Sequence, residues 1–397
     1  MSAGDLAAPD SVELADVAAH WKSAYVHIPF CRRRCPYCDF AVVTPDEGGT
    51  PEVVDRYVAA VLAEIDMEPN GFGPLDAVNL GGGTPSALAP AVLARILHRL
   101  ANRHGLRPGA EISIEANPED IDADTAGALC EVGFNRLSLG VQSLDGAVLL
   151  SLGRAHDVRQ ALDAVGAARR AGFGSVSIDL IFGTPGESVG DWRTTVNQAL
   201  DAEPDHLSAY ALTVERGTDL SRAVLAGAPA PDPDDLADKY EFLDEALAGA
   251  GMTRYEVSNF ARPGHPCHYN LATWAQGEYL GFGLGAHDHR GGIRRRNVRR
   301  LDVYLERVGR REPPESGREV LGGWAAEQER VMLGLRRGAG VVAGPAGGAL
   351  LRSAVGERLV SAGVVVVRRD RLVVARPLLT DAAARAVVAL PPPAGWE

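Results

Sequence analysis

YVHIPFCRRRCPYCDF, residues 25–40, decides how the rest of the chain is read. It begins as a strand-like apolar run and ends in three cysteines, Cys31, Cys35 and Cys38, spaced C-x3-C-x2-C. Three thiols this close together in an intracellular chain point to metal. Two metal readings compete. A structural zinc knot wants four ligands. Its fourth would be Asp39 or His27, because no second C-x2-C pair exists. A [4Fe–4S] cubane also normally takes four cysteines, so three leave one iron open to a small molecule.

The bulk of the sequence narrows the setting. The chain has 397 residues, 46% hydrophobic and 23% charged, which suits one large globular domain plus a smaller one. Its net charge of −12 makes nucleic acid an unexpected partner, since phosphate binding needs surplus positive charge. IRRRNVRR at 293–300 is the local exception. With only two lysines, Lys22 and Lys239, arginine is the default cation here, and the run reads as a solvated face. The N-terminal residues carry acids where an export signal needs bases, and no stretch reaches the ~20 apolar residues of a membrane span. The expected location is the cytosol, with the inner face of the membrane within reach. Cys130 and Cys267 lie far from the cluster and from each other, so no disulfide framework is expected.

Outward from the cysteines, short apolar runs alternate with helical patterns. The strand-like runs are 23–30, 76–82, 111–116, 136–141, 175–182 and 206–212. Six strand–helix units imply a parallel sheet wrapped by helices, with right-handed connections. Each strand ends in chemistry-bearing residues: Cys31, the GGGTP run 81–85, Glu115 and Asn117, Gln142, Gly183-Thr184-Pro185, and Tyr210. Strand C-termini form the active face of such barrels. Six units are too few to close an eight-stranded barrel, so the fold class is α/β, a partial, open (β/α)6 barrel. TRYEVSNFA at 253–261 reads as one further strand, and GFGLGAH at 281–287 as a glycine-rich turn. The division expected is an N-terminal extension 1–20, the barrel 21–290, a connector 291–317, and a small winged-helix-like module 318–397. That module has a helix near 324–337, a hairpin at 364–374, and a loose tail, PPPAGWE.

The stretch 25–40 resembles the signature of radical S-adenosylmethionine (SAM) enzymes. The resemblance implies that three cysteines hold a [4Fe–4S] cluster and that SAM chelates the fourth iron. An electron donor would then reduce the cluster, splitting SAM to methionine and a 5′-deoxyadenosyl radical. GGGTP is similar to the superfamily motif that holds the SAM amino group. RLSLGVQSLD (136–145), GRAH (153–156), SIDLIFGTPGES (177–188) and HLSAYALTVERGT (206–218) resemble the subfamily containing oxygen-independent coproporphyrinogen III oxidase. By position, that resemblance implies SAM contacts at Tyr25, Tyr37, Gly82, Gly83, Thr84, Glu115, Gln142, Arg154, Asp179 and Ala211. An arginine can meet a carboxylate with a bidentate fork, and a tyrosine ring can pack on adenine.

Within the subfamily, two details resemble its heme-chaperone branch. The oxidase pattern has a further cysteine two residues after the third, where this chain has Phe40. NFARPGHPCHYNLATW (259–274) is similar to that branch's His-Asn-x-x-Tyr-Trp region, linked there to heme. Aligned on Asn270 and Trp274, the histidine position holds Tyr269 and the tyrosine position Thr273; His268 lies one residue earlier. The candidate heme ligands are His268 and Tyr269, with Cys267 and His265 as alternatives. In an extended segment a one-residue shift would turn a side chain to the opposite face. The resemblance implies a heme carrier serving membrane respiratory proteins. Oxidative decarboxylation of coproporphyrinogen III is the alternative.

Overall fold

The computed structural model describes residues 16–396. Residues 1–15 of the expected N-terminal extension, and most of the export-signal reading, lie outside the described residues.

Period-two alternation builds the barrel. β1 (Lys22–Ile28), β2 (Leu75–Gly82), β3 (Leu106–Ala116), β4 (Arg136–Gln142), β5 (Ser175–Phe182) and β6 (His206–Ala211) lie side by side, all parallel. One face is aliphatic and fully buried: Val26 and Ile28, Val78 and Leu80, Ile114, Leu137 and Leu139, Ile178 and Leu180, Leu207. The helices Pro51–Met67, Pro90–His104, Val158–Ala171 and Val189–Asp201 cover that face, burying Tyr57, Leu93, Val165 and Trp192 in one continuous core. Asp157 and Ser188 cap two of them with capping boxes, each worth about 1 kcal/mol. The alternate residues of each strand are polar and turn inward: Tyr25, His27, Asn79, Glu115, Ser138, Asp179 and Ser208.

The sheet extends beyond the six expected strands. β7 (Thr253–Arg254), β8 (Asn259–Ala261), β9 (Glu278–Phe282), β10 (His287–Arg290), β11 (Ile293–Asn297) and β12 (Glu315–Val320) complete the order β12-β11-β10-β9-β1-β2-β3-β4-β5-β6-β8-β7. β9 runs parallel to β1 and supplies a seventh parallel strand. The end strands β12 and β7 do not pair, so the barrel is open.

Several expectations are corrected. Residues 253–261 form a tight hairpin, not one strand. The Glu256 carboxylate accepts from Ser258 N and the Asn259 amide and folds the chain back. The glycine-rich turn begins only at Gly283 (φ 94°), because Gly281 and Phe282 belong to β9. The stretch 291–317 is no bare connector. It carries β11, the helix Leu301–Gly309 and the start of β12, and Tyr304 of that helix is fully buried in the main core. The arginine run within it is not simply solvated. Arg294 is paired with Glu319 and Glu329, and Arg295 with Asp288 and Glu315.

The C-terminal helices Gly323–Gly334, Gly344–Leu351 and Ala354–Ser361 precede the hairpin of β14 (Val365–Arg368) and β15 (Arg371–Val374), to which β13 (Val341–Val342) adds a third strand. They share a separate core of Val331, Leu335, Leu350, Leu372 and Val387, a winged-helix-like arrangement. The tail is not loose throughout: the Trp396 ring packs edge-on against Trp324, centroids 5.8 Å apart. Among the described residues no helix is long and apolar enough to cross a membrane.

Candidate functional site

The C-terminal ends of the parallel strands surround a cavity of about 530 Å³. The loop after β1 brings Cys31, Cys35 and Cys38 to its rim, and Tyr37, Gly82, Gly83, Thr84, Glu115, Gln142, Arg154, Asp179 and Ala211 line it. Cys130 and Cys267 are elsewhere. Burial pushes the Cys31 thiol up to about 11, although the Thr84 hydroxyl, donating to its sulfur at 3.4 Å, opposes the shift. Burial also raises Cys38. These thiols become thiolates when a cation compensates them, as cluster iron does. His27 is a poor fourth ligand. Its Nε2 contacts the Ala41 carbonyl at 2.8 Å and its Nδ1 the Tyr25 hydroxyl at 3.0 Å, and burial lowers its pKa to about 4. Asp39 is exposed.

The GGGTP backbone is shaped for close approach. Gly82 has φ 109°, and a Cβ there would lie 2.3 Å from His27 Nδ1; at Gly83 it would lie 2.7 Å from Pro29. Glu115 projects from β3 and accepts from Gly82 N at 3.1 Å and from Asn79 Nδ2 at 3.4 Å, while burial raises its pKa. Asp179 accepts from Ser138, Ser177 and Ser208 at 2.7–3.1 Å, so three serines hold it in place. Gln142 ends β4 beside a register break, at φ 66°.

Two expected SAM contacts are placed differently. Arg154 does not present a free fork. Nη2 donates to Asn117 Oδ1 (2.5 Å) and the Gly140 carbonyl (2.9 Å), and Nη1 reaches Cys35 Sγ at 3.5 Å, leaving its buried Nε without a partner. Tyr25 does not line the cavity; its ring stacks on Tyr269, centroids 6.0 Å apart. Sequence reading passed over Asn79, Ser138 and Gly140. Their signal was the polar alternation along β2 and β4, which an ordinary half-solvated strand also shows. The cavity, the close-packed glycines, the thiol rim and the orphaned Arg154 Nε fit a cluster with a nucleoside ligand.

The candidate heme residues lie at the other end of the barrel. The segment is not extended but forms the helix His268–Trp274, so a one-residue shift turns a side chain by about 100° rather than to the opposite face. Glu111, midway along β3 and level with Ala77 of β2, draws the helix in. Its Oε1 accepts from Cys267 Sγ at 3.4 Å, His268 N at 2.9 Å and Tyr269 N at 3.4 Å. His268 stacks on Trp21, centroids 4.3 Å apart, immediately before β1. Tyr269 sits between Tyr25 and Tyr279. His265 lies near Asp205, Nε2 to Oδ1 4.0 Å. β1 spans seven residues, so roughly 20 Å separates His268, beside Trp21, from the cysteine loop; Tyr269, stacked on Tyr25 midway along β1, lies nearer the cavity.

The Radical SAM superfamily model matches residues 25–199. This superfamily uses a [4Fe–4S] cluster and SAM. The chain is 40% identical over 373 residues to a protein of Mycobacterium tuberculosis named heme chaperone HemW, covering 92% of this chain and 94% of that one. A protein of the same name from Bacillus subtilis is 34% identical over 326 residues, 81% of this chain and 84% of the relative. Among solved structures, coproporphyrinogen III oxidase (HemN) from Escherichia coli superposes with a TM-score of 0.79 at 23% identity, covering 96% of this chain and 93% of that one, a likeness of fold. The chain belongs to the HemW family of radical SAM proteins.

Proposed function

We propose that this protein is a heme chaperone: it binds heme and delivers it to respiratory hemoproteins of the membrane, on a barrel that holds a [4Fe–4S] cluster through Cys31, Cys35 and Cys38 and SAM through the cavity residues. The carrying observation is the 40% identity, over nearly the whole length, to a relative named for that function. Phe40 supports it, since it stands 58% exposed where the oxidase pattern has its extra cysteine. Among the described residues no fourth cysteine lines the cavity, so one iron corner is left for SAM. Glu115 and the glycine run are suited to the SAM amino group, and Asp179 and Gln142 to its hydroxyls. An acidic chain is suited to protein and small-molecule partners rather than nucleic acid. The barrel 21–290 would carry both cofactors, and the module 318–397 would pack beside it. The working site is cytoplasmic, with the inner membrane face as the place of delivery.

The test is hemin titration of the anaerobically reconstituted protein, followed by mixing with an apo-hemoprotein. A saturable Soret shift and transfer of the chromophore are expected. No Soret shift removes the chaperone reading. Turnover of coproporphyrinogen III under reducing, SAM-replete conditions replaces it with the oxidase.

A further inference from the structure

A second hollow, of about 810 Å³, opens on the solvent side of the cysteine loop. It shares Arg33, Cys35, Cys38 and Phe40 with the first cavity, so the two adjoin across the cysteine loop. Arg216, Arg222 and Arg299 line it as well. Several of these cations are engaged: Arg34 pairs with Glu47, Arg222 with Asp219, and Arg299 donates to the Asp39 carbonyl. Arg33 and Arg216 are exposed and, among the described residues, their side chains have neither an ion pair nor a hydrogen bond. Among the described residues other exposed arginines, Arg56 and Arg95 for instance, are unpaired too; what sets these two apart is their place on a hollow beside the cavity, the pair being lined also by Asp39, Asp46 and Glu215.

Aromatic exposure concentrates at the same mouth. Among the described residues the most exposed Phe, Tyr and Trp side chains are Phe40, at 58%, and Tyr210, at 45%, and both line the first cavity. An exposed ring beside free guanidinium groups suits a flat, largely apolar ligand with carboxylates on its edge. The helix His268–Trp274 offers no such surface. Its histidine is stacked on Trp21, its Tyr269 is held between two tyrosines, and its first N–H groups are taken by Glu111.

We propose that heme docks at the cluster-side mouth, its propionates on Arg33 and Arg216 and its macrocycle against Phe40, and not through the helix His268–Trp274. The inference rests on the heme-carrying reading above. It assigns to this annex a ligand class: a planar tetrapyrrole bearing free carboxylates.

The experiment titrates the cluster-loaded full chain with hemin, with metal-free protoporphyrin IX, and with protoporphyrin IX dimethyl ester. The free acids are expected to bind alike and the ester weakly, because recognition is through the carboxylate edge rather than the iron. R33A/R216A should weaken hemin binding about tenfold, the worth of two exposed ion pairs, and flatten its salt dependence. His268→Asn and Tyr269→Phe should leave it within about twofold. An unchanged affinity in R33A/R216A, equal binding of the ester, or loss of binding in His268→Asn with the helical content intact overturns the docking site. Tyr269→Phe, which removes only a hydroxyl, checks the same end of the barrel if His268→Asn fails to fold. Absence of saturable hemin binding by the unaltered chain sinks the heme reading as well as the site.

Discussion

Replacing Lys239 with Met tests how the β5 loop is held. Lys239 is fully buried. Its Nζ donates to the Glu187 carbonyl and to Asp235 Oδ2, each at 2.6 Å, and lies 3.2 Å from Glu187 Oε2. The Glu187 side chain is also fully buried, and Oε2 accepts from Gly183 N at 2.7 Å, which fixes the turn directly after β5. Removing the cation strands a buried carboxylate, a loss of about 3–5 kcal/mol. For a chain of 397 residues that lowers Tm by roughly 4–6 °C. Burial already raises the Glu187 pKa, with Gly183 N and Lys239 opposing; without Lys239 the shift grows. A carboxyl whose folded pKa lies above its unfolded value loses stability as pH rises through the folded value. The variant's deficit is therefore expected to be smallest near pH 5 and largest near pH 8. Urea unfolding at both pH values measures it. Adding Glu187→Gln removes the stranded charge and should return the double variant to within about 2 kcal/mol of the parent. A deficit below about 1 kcal/mol in Lys239→Met, or a double variant as damaged as the single, refutes the reasoning.

Other outcomes follow from the same geometry. Cys31→Ala, Cys35→Ala or Cys38→Ala should abolish the brown visible absorbance after anaerobic reconstitution, while Cys130→Ala and Cys267→Ala keep it, as read by absorbance and sulfide analysis. Gly82→Ala forces a Cβ into the His27 ring at φ 109°. Calorimetric titration should show loss of SAM binding, and retained affinity would contradict the close approach assigned to the glycine run. Burial raises Glu64 to about 7, with Tyr304, Gly283 N and Asn297 opposing. Its folded pKa exceeds its unfolded one, so its contribution is complete below about pH 4.5 and fades as pH rises through 7. The stability difference between the parent and Glu64→Gln should shift in that sense between pH 5 and pH 8.5, and a flat difference argues against it.

Much of the frame was legible because it is local. Aliphatic residues at every second position marked β1 to β6, and apolar residues at helical spacing marked the helices between them. The thiol spacing and the glycine run are contiguous motifs, and they met at one cavity. What escaped depends on partners distant in sequence. Nothing near residue 278 announces that Glu278–Phe282 will lie parallel to β1. The helix His268–Trp274 is drawn inward by Glu111, on a strand far upstream. Arg154 looked free for a ligand until Asn117 and Gly140 were found to occupy it. Likewise Arg33 and its neighbours read as equivalent cations, and only the placement of Glu47 and Asp219 shows which of them are spent.

The helix lodged at the lower end of the barrel, with His268 against Trp21, has a consequence for traffic. It fills the face away from the cysteine loop, and the cavity lies on the loop's side. On the docking proposed above, nucleotide and cargo would share the cluster-side mouth, so the deeper occupant would arrive first and leave last, and unloading the cargo would be a precondition for refreshing what sits behind it.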